Sequence, residues 1–187
     1  MKTLIIVDPQ NDFIEGTLPV DNAKPAMEAL AEKLPEIDVD HIVVTMDCHP
    51  IKHMSFAPQG GPWPAHCMKY SWGAAIFEPL FQAIYGLRDK REIHFLEKGR
   101  DEDKEEYSAF EEGYPEILDE SDEVLVCGLA GNVCVHTSIN DLIKHGLREK
   151  LTVITDASPS LDDGSHLQEL IQKEGLEAVT LKTLTEK

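Results

Sequence analysis

Four places in this 187-residue chain put chemically capable side chains just past short apolar runs. Asp8 follows Leu4-Ile-Ile-Val7. Asp47 and His49 follow Ile42-Val-Val44, Lys98 closes the run 93–98, and Cys134 comes shortly after Val124-Leu-Val-Cys127. A cysteine at the start of a helix meets free backbone N–H groups and the positive end of the macrodipole, which favour a thiolate. The same N–H groups are suited to an oxyanion formed when that thiolate attacks a carbonyl. Asp8 is the acid–base partner that takes the thiol proton and returns it to a leaving amine. Lys98 keeps Asp8 ionised and favours the thiolate.

A second constellation is of metal-ligand type. In extended chain, residues two apart share a side, so Asp47 and His49 point together and Cys48 points away. His66, from the irregular stretch 50–70, completes a mixed nitrogen–oxygen set. Three protein ligands with open positions suit a catalytic or substrate-binding ion. The competing set is a structural zinc site of Cys48, His49, His66 and Cys67. His41, His53, His94, His136, His145 and His166 are read as surface residues or satisfied core.

The elements that must position these groups are short apolar runs alternating with segments of helical period. Strands are expected at 3–8, 41–47, 93–98, 123–129, 151–156 and 178–184, and helices at 24–34, 74–84, 133–145 and 165–174. Near-continuous Val/Ile/Leu strands suit burial on both faces. The alternation predicts a three-layer α/β/α fold around a parallel sheet of about six strands, in one domain spanning 1–187. In such sheets ligands bind at the carboxyl ends of the strands, where Asp8, Asp47, Lys98 and Cys134 all fall. The long stretch 50–70, rich in Pro and Gly but carrying Trp63 and His66, is expected to wall the site.

Composition narrows the partners. With 35 acidic against 17 basic residues and a net charge of −18, a phosphate-backbone partner is excluded. The acidic runs at 101–106, 111–112 and 119–123 read as solvated faces. No apolar stretch approaches the ~18 residues of a membrane span, and a cytoplasmic protein acting on a small molecule is expected. Whether it works as a homo-oligomer is left open by the sequence. Four cysteines in such a chain are not a disulfide framework, and Cys127 reads as a buried small hydrophobe.

These residues also carry a resemblance. Val7-Asp8-Pro9-Gln10-Asn11-Asp12-Phe13, Asp47-x-His49-Pro50, Trp63-Pro64-x-His66-Cys67, Lys98-Gly99 and Gly128-Leu-Ala-Gly-Asn-Val-Cys134-Val are similar to the motifs of isochorismatase-like cysteine hydrolases, in the nicotinamidase/pyrazinamidase branch. The resemblance spans nearly the whole chain in the right order. It implies deamidation of nicotinamide to nicotinate and ammonia, with Asp8, Lys98 and Cys134 as the triad. It also implies one divalent ion, zinc first with iron or manganese as alternatives, on Asp47, His49 and His66. Phe13, Trp63 and Tyr107 would wall the ring, the N–H groups of Ala130 and Cys134 would form the oxyanion hole, and the Leu129–Ala130 peptide would be cis. Cys48 stands where relatives usually have Trp, and Gly131-Asn132 where Thr-Asp is common. A fourth ligand found in some relatives has no clear counterpart, with Gln59 near that region. The alternative activity within the superfamily is hydrolysis of a carbamoyl or ureido compound.

Overall fold

A computed structural model describes residues 1–186. Six strands, β1 (Lys2–Val7), β2 (His41–Asp47), β3 (Glu92–Lys98), β4 (Glu123–Gly128), β5 (Leu151–Ile154) and β6 (Glu177–Val179), form one sheet in the order β3-β2-β1-β4-β5-β6. Every pairing is parallel. The sheet is the one expected from the alternating pattern.

Burial on both faces follows from the period of two along each strand. In β1, Leu4 and Ile6 enter one apolar cluster while Ile5 and Val7 enter the other. The first cluster is capped by α1 (Asn11–Ile14), α2 (Ala23–Lys33) and α3 (Glu78–Gly86), through Phe13, Met27, Leu30, Leu80 and Ile84. The second is capped by α4 (Ile117–Glu120), α5 (His136–Lys144) and α6 (Ser165–Glu174), through Leu118, Ile139, Leu142, Leu167 and Leu170. A last short helix, α7 (Leu181–Thr185), returns Leu181 to the first face.

Three boundaries depart from the sequence expectation. The apolar run 178–184 is not one strand, because β6 ends at Val179 and α7 begins. The cause is local: Thr180 accepts from the Thr183 amide while Thr183 caps Thr180 in return, a closed capping box. β5 ends at Ile154, where a 3₁₀ turn over Thr155–Ala157 lifts the chain off the sheet. The helix expected at 74–84 starts at Glu78, with Pro79 in its first turn, where a missing N–H costs no helix bond. No described helix is long and apolar enough to cross a membrane.

Candidate active site

The parallel order places β3, β2, β1 and β4 side by side, so their carboxyl ends form one rim. Asp8 follows β1 with φ 45°, its amide bonded to the Thr45 carbonyl at 3.1 Å. Asp47 and Lys98 are register partners at the ends of β2 and β3. Beyond β4 the Leu129–Ala130 peptide is cis, and a π-helical turn over Gly131–Val135 delivers Cys134 into α5. The helix expected from 133 therefore begins as this wider turn.

Asp8, Lys98 and Cys134 are 0%, 2% and 5% exposed. The Lys98 ammonium lies 2.8 Å from Oδ2 of Asp8 and 3.6 Å from Sγ of Cys134. The other Asp8 oxygen accepts from the Thr45 hydroxyl at 2.6 Å. Burial pushes the Asp8 carboxyl above its ordinary value, and the charge of Asp47 adds to this while Lys98 opposes it. Burial likewise pushes the Cys134 thiol well up, against the pull of Lys98. Burial thus opposes the thiolate that Lys98 and the helix start favour. In so dry a site an anion is costly, and forming the thiolate calls for a nearby proton acceptor.

Asp47, His49 and His66 also converge, each under 5% exposed, with one potential ligand atom apiece within 4.8 Å of the others. Nε2 of His49 and Nε2 of His66 lie 3.3 and 3.7 Å from Oδ2 of Asp47. The remaining nitrogen of each ring bonds a backbone carbonyl, Gly99 at 2.9 Å for His49 and Pro64 at 2.8 Å for His66. Carbonyls in that position fix the tautomer that leaves Nε2 as a lone-pair donor, the usual support of a metal-bound imidazole. Burial works against the Asp47 carboxylate, but the charge of Lys98 holds it well below its usual range. The set fits a divalent ion. Gly99 is required here: at φ +65°, a Cβ on it would lie 2.4 Å from the His49 ring.

The rival set of Cys48, His49, His66 and Cys67 is not assembled. Cys67 Sγ faces the Gly73 carbonyl at 3.9 Å, and Cys48 lines a separate hollow with Lys69 and Glu97. Gln59 is exposed and outside the cluster.

A cleft opens over both groups. Phe13, Trp63 and Tyr107 line it together with Ala130, Cys134, His66 and Asp47, and Trp63 Nε1 donates to the Tyr107 hydroxyl at 3.1 Å. Leu18, Glu105 and Leu161 also line it and were not anticipated, because nothing in their spacing sets them apart. Gln10 was missed as well. Fully buried, it donates to the Asp47 carbonyl at 2.7 Å and accepts from the Asp47 amide at 2.8 Å, clamping the end of β2. Its place in the polar run Asp8-Pro-Gln-Asn-Asp12 just past the first strand was the available signal. Asp12 holds the 50–70 loop by accepting from the Cys67 amide at 2.7 Å. At Gly131 a Cβ would stand 2.4 Å from Ser160 Oγ and 2.5 Å from the Ser158 carbonyl, so a side chain has no room here.

The isochorismatase domain family matches residues 2–183. The chain belongs to this family. It is 32% identical, over 87% of this chain and 89% of the other, to the nicotinamidase/pyrazinamidase of Mycobacterium tuberculosis. Among solved structures of relatives, the pyrazinamidase of Pyrococcus horikoshii in complex with zinc superposes with a TM-score of 0.76 at 29% identity, covering 96% of this chain and 98% of that one. PnC1 from L. infantum in complex with nicotinate gives a TM-score of 0.81 at 26% identity, covering 97% and 93%.

Proposed function

We propose that this isochorismatase-family chain hydrolyses the carboxamide of nicotinamide, and of pyrazinamide, to the carboxylate and ammonia. The observation that carries the reading is the packing of a thiol, a carboxyl and an ammonium against an Asp-His-His set under one cleft with aromatic walls. That combination gives a flat aromatic amide both a nucleophile and an anchor. The aromatic walls favour a ring over a ureido chain.

Asp8 takes the Cys134 proton as Sγ bonds to the carboxamide carbon, and the N–H groups of Ala130 and Cys134 receive the oxyanion. Asp8 passes the proton to nitrogen, and ammonia leaves a thioester on Cys134. Water then attacks the thioester while Asp8 takes its proton, and nicotinate departs as the thiol is restored. Lys98 stays charged and stabilises each anion in turn. Burial disfavours its cation, but Asp47 and Asp8 overcome this and hold its pKa well above the ordinary lysine range. Phe13, Trp63 and Tyr107 hold the ring. Asp47, His49 and His66 would hold a divalent ion, zinc by its donor set, which would supply a Lewis acid at the ring end of the cleft.

The test is ammonia release from nicotinamide by the purified chain with Cys134→Ala as control. Release that depends on Cys134 supports the reading, and no release with nicotinamide or pyrazinamide overturns it.

A further inference from the structure

A second cluster of ligand-type side chains lies at the opposite end of the sheet. His41 opens β2, and its register partner on β3 is Glu92. His94 lies two residues beyond Glu92, on the same face of the strand. β2 runs seven residues from His41 to Asp47, so this cluster stands about 20 Å from the active-site rim.

His41 is buried but unsatisfied, which a satisfied-core reading does not describe, and His94 is half-buried, with 28% of its side chain exposed. His41 is 9% exposed, and neither of its ring nitrogens has a hydrogen-bond partner among the described residues. Nε2 of His94 is likewise buried without a partner. Both rings nevertheless lie against the same carboxylate. His41 Nδ1 is 3.5 Å from one oxygen of Glu92, and His94 Nε2 is 3.3 Å from the other, without hydrogen-bond alignment. One donor atom from each of the three residues lies within 4.8 Å of the other two.

We infer that His41, Glu92 and His94 form a second binding site for a borderline divalent ion such as zinc. Buried imidazole nitrogens without partners are uncommon, and an ion satisfies them where protein groups do not. Zinc ligands about 2.0–2.1 Å from the ion stand about 3.3 Å from one another in a tetrahedron, close to each imidazole–carboxylate separation here, while the two imidazole donors lie within 4.8 Å of each other. Two imidazoles and one carboxylate suit zinc, nickel or copper better than magnesium or calcium. Glu92, with 61% of its side chain exposed, leaves a solvent route and an open coordination position. The ion ties the start of β2 to edge strand β3, whose far end carries Lys98.

The experiment is zinc titration of the chelator-stripped full chain by calorimetry, with zinc per chain confirmed by elemental analysis. Wild type is expected to take up two zinc ions, and His94→Ala or Glu92→Gln one, with nicotinamide turnover unchanged in both variants. A His49→Ala/His66→Ala double variant keeps one ion, which adding His94→Ala removes. A single ion in wild type that His94→Ala abolishes also supports this site, and counts instead against the Asp47 set. Equal zinc uptake by wild type, His94→Ala and Glu92→Gln up to about 1 mM zinc overturns it.

Discussion

Lys98 joins the two halves of the active site, because its ammonium bonds Oδ1 of Asp47 while standing 2.8 Å from Oδ2 of Asp8. A residue of the proposed triad thus shares its charge with a residue of the proposed metal set. Removing Asp47 changes the field at Cys134 even without an ion, whereas removing His66 does not. In chelator-treated protein, Asp47→Asn leaves the Lys98 charge less neutralised and is expected to speed alkylation of Cys134 by iodoacetamide. His66→Ala should alkylate at the wild-type apo rate. Equal rates for the two variants would show that the sites are electrostatically separate.

Cys134→Ala should abolish turnover while the fold and metal content persist, because no other group at the rim can form the thioester. Cys127→Ser is the contrasting case. Cys127 is fully buried in the apolar cluster beneath α2, so a hydroxyl there costs about 1–3 kcal/mol of stability. Its kcat should stay near wild type, and thermal melts beside ammonia assays separate the two effects.

Asp8→Asn and Lys98→Met should each slow turnover by about a thousandfold or more, with the double variant far from the product of the two losses. They differ in stability. Lys98→Met strands two buried carboxylates and should cost about 3–5 kcal/mol in a denaturant titration at neutral pH. Fully multiplicative rate losses would mean that the two side chains act independently.

Metal content should follow the histidines and not the cysteines. His49→Ala and His66→Ala are expected to lose the ion at the Asp47 set, and Cys48→Ser and Cys67→Ser to retain it, by elemental analysis on a His94→Ala background. Chelation of wild type should suppress turnover and re-addition of zinc restore it. The reverse pattern at the cysteines would favour the structural-zinc set.

Nicotinamide and pyrazinamide should be hydrolysed and benzamide should be poor by roughly a hundredfold or more in kcat/KM. Benzamide has the same shape and carboxamide, but no ring nitrogen to meet the polar end of a cleft lined by Asp47 and His66. Comparable values for nicotinamide and benzamide would show that the cleft does not read the ring.

The sequence alone determined the parallel sheet and the rim. Period-two burial on both faces of strands such as β1 is a local pattern, and strand ends are where an α/β sheet gathers ligands, so spacing alone puts Asp8, Asp47, Lys98 and Cys134 on one rim. Only the tertiary structure decided what depends on distance and solvent. The burial that opposes a Cys134 thiolate is something no spacing reveals. That His66, and not Cys67, joins Asp47 and His49 depends on where a long loop folds back. The switch at Thr180 from strand to helix turns on a reciprocal cap that an apolar run conceals. His41 and His94, 53 positions apart, meet only because β2 and β3 pair in register. Spacing encodes which side chains share a face; which faces meet, and how dry the junction is, is set by packing.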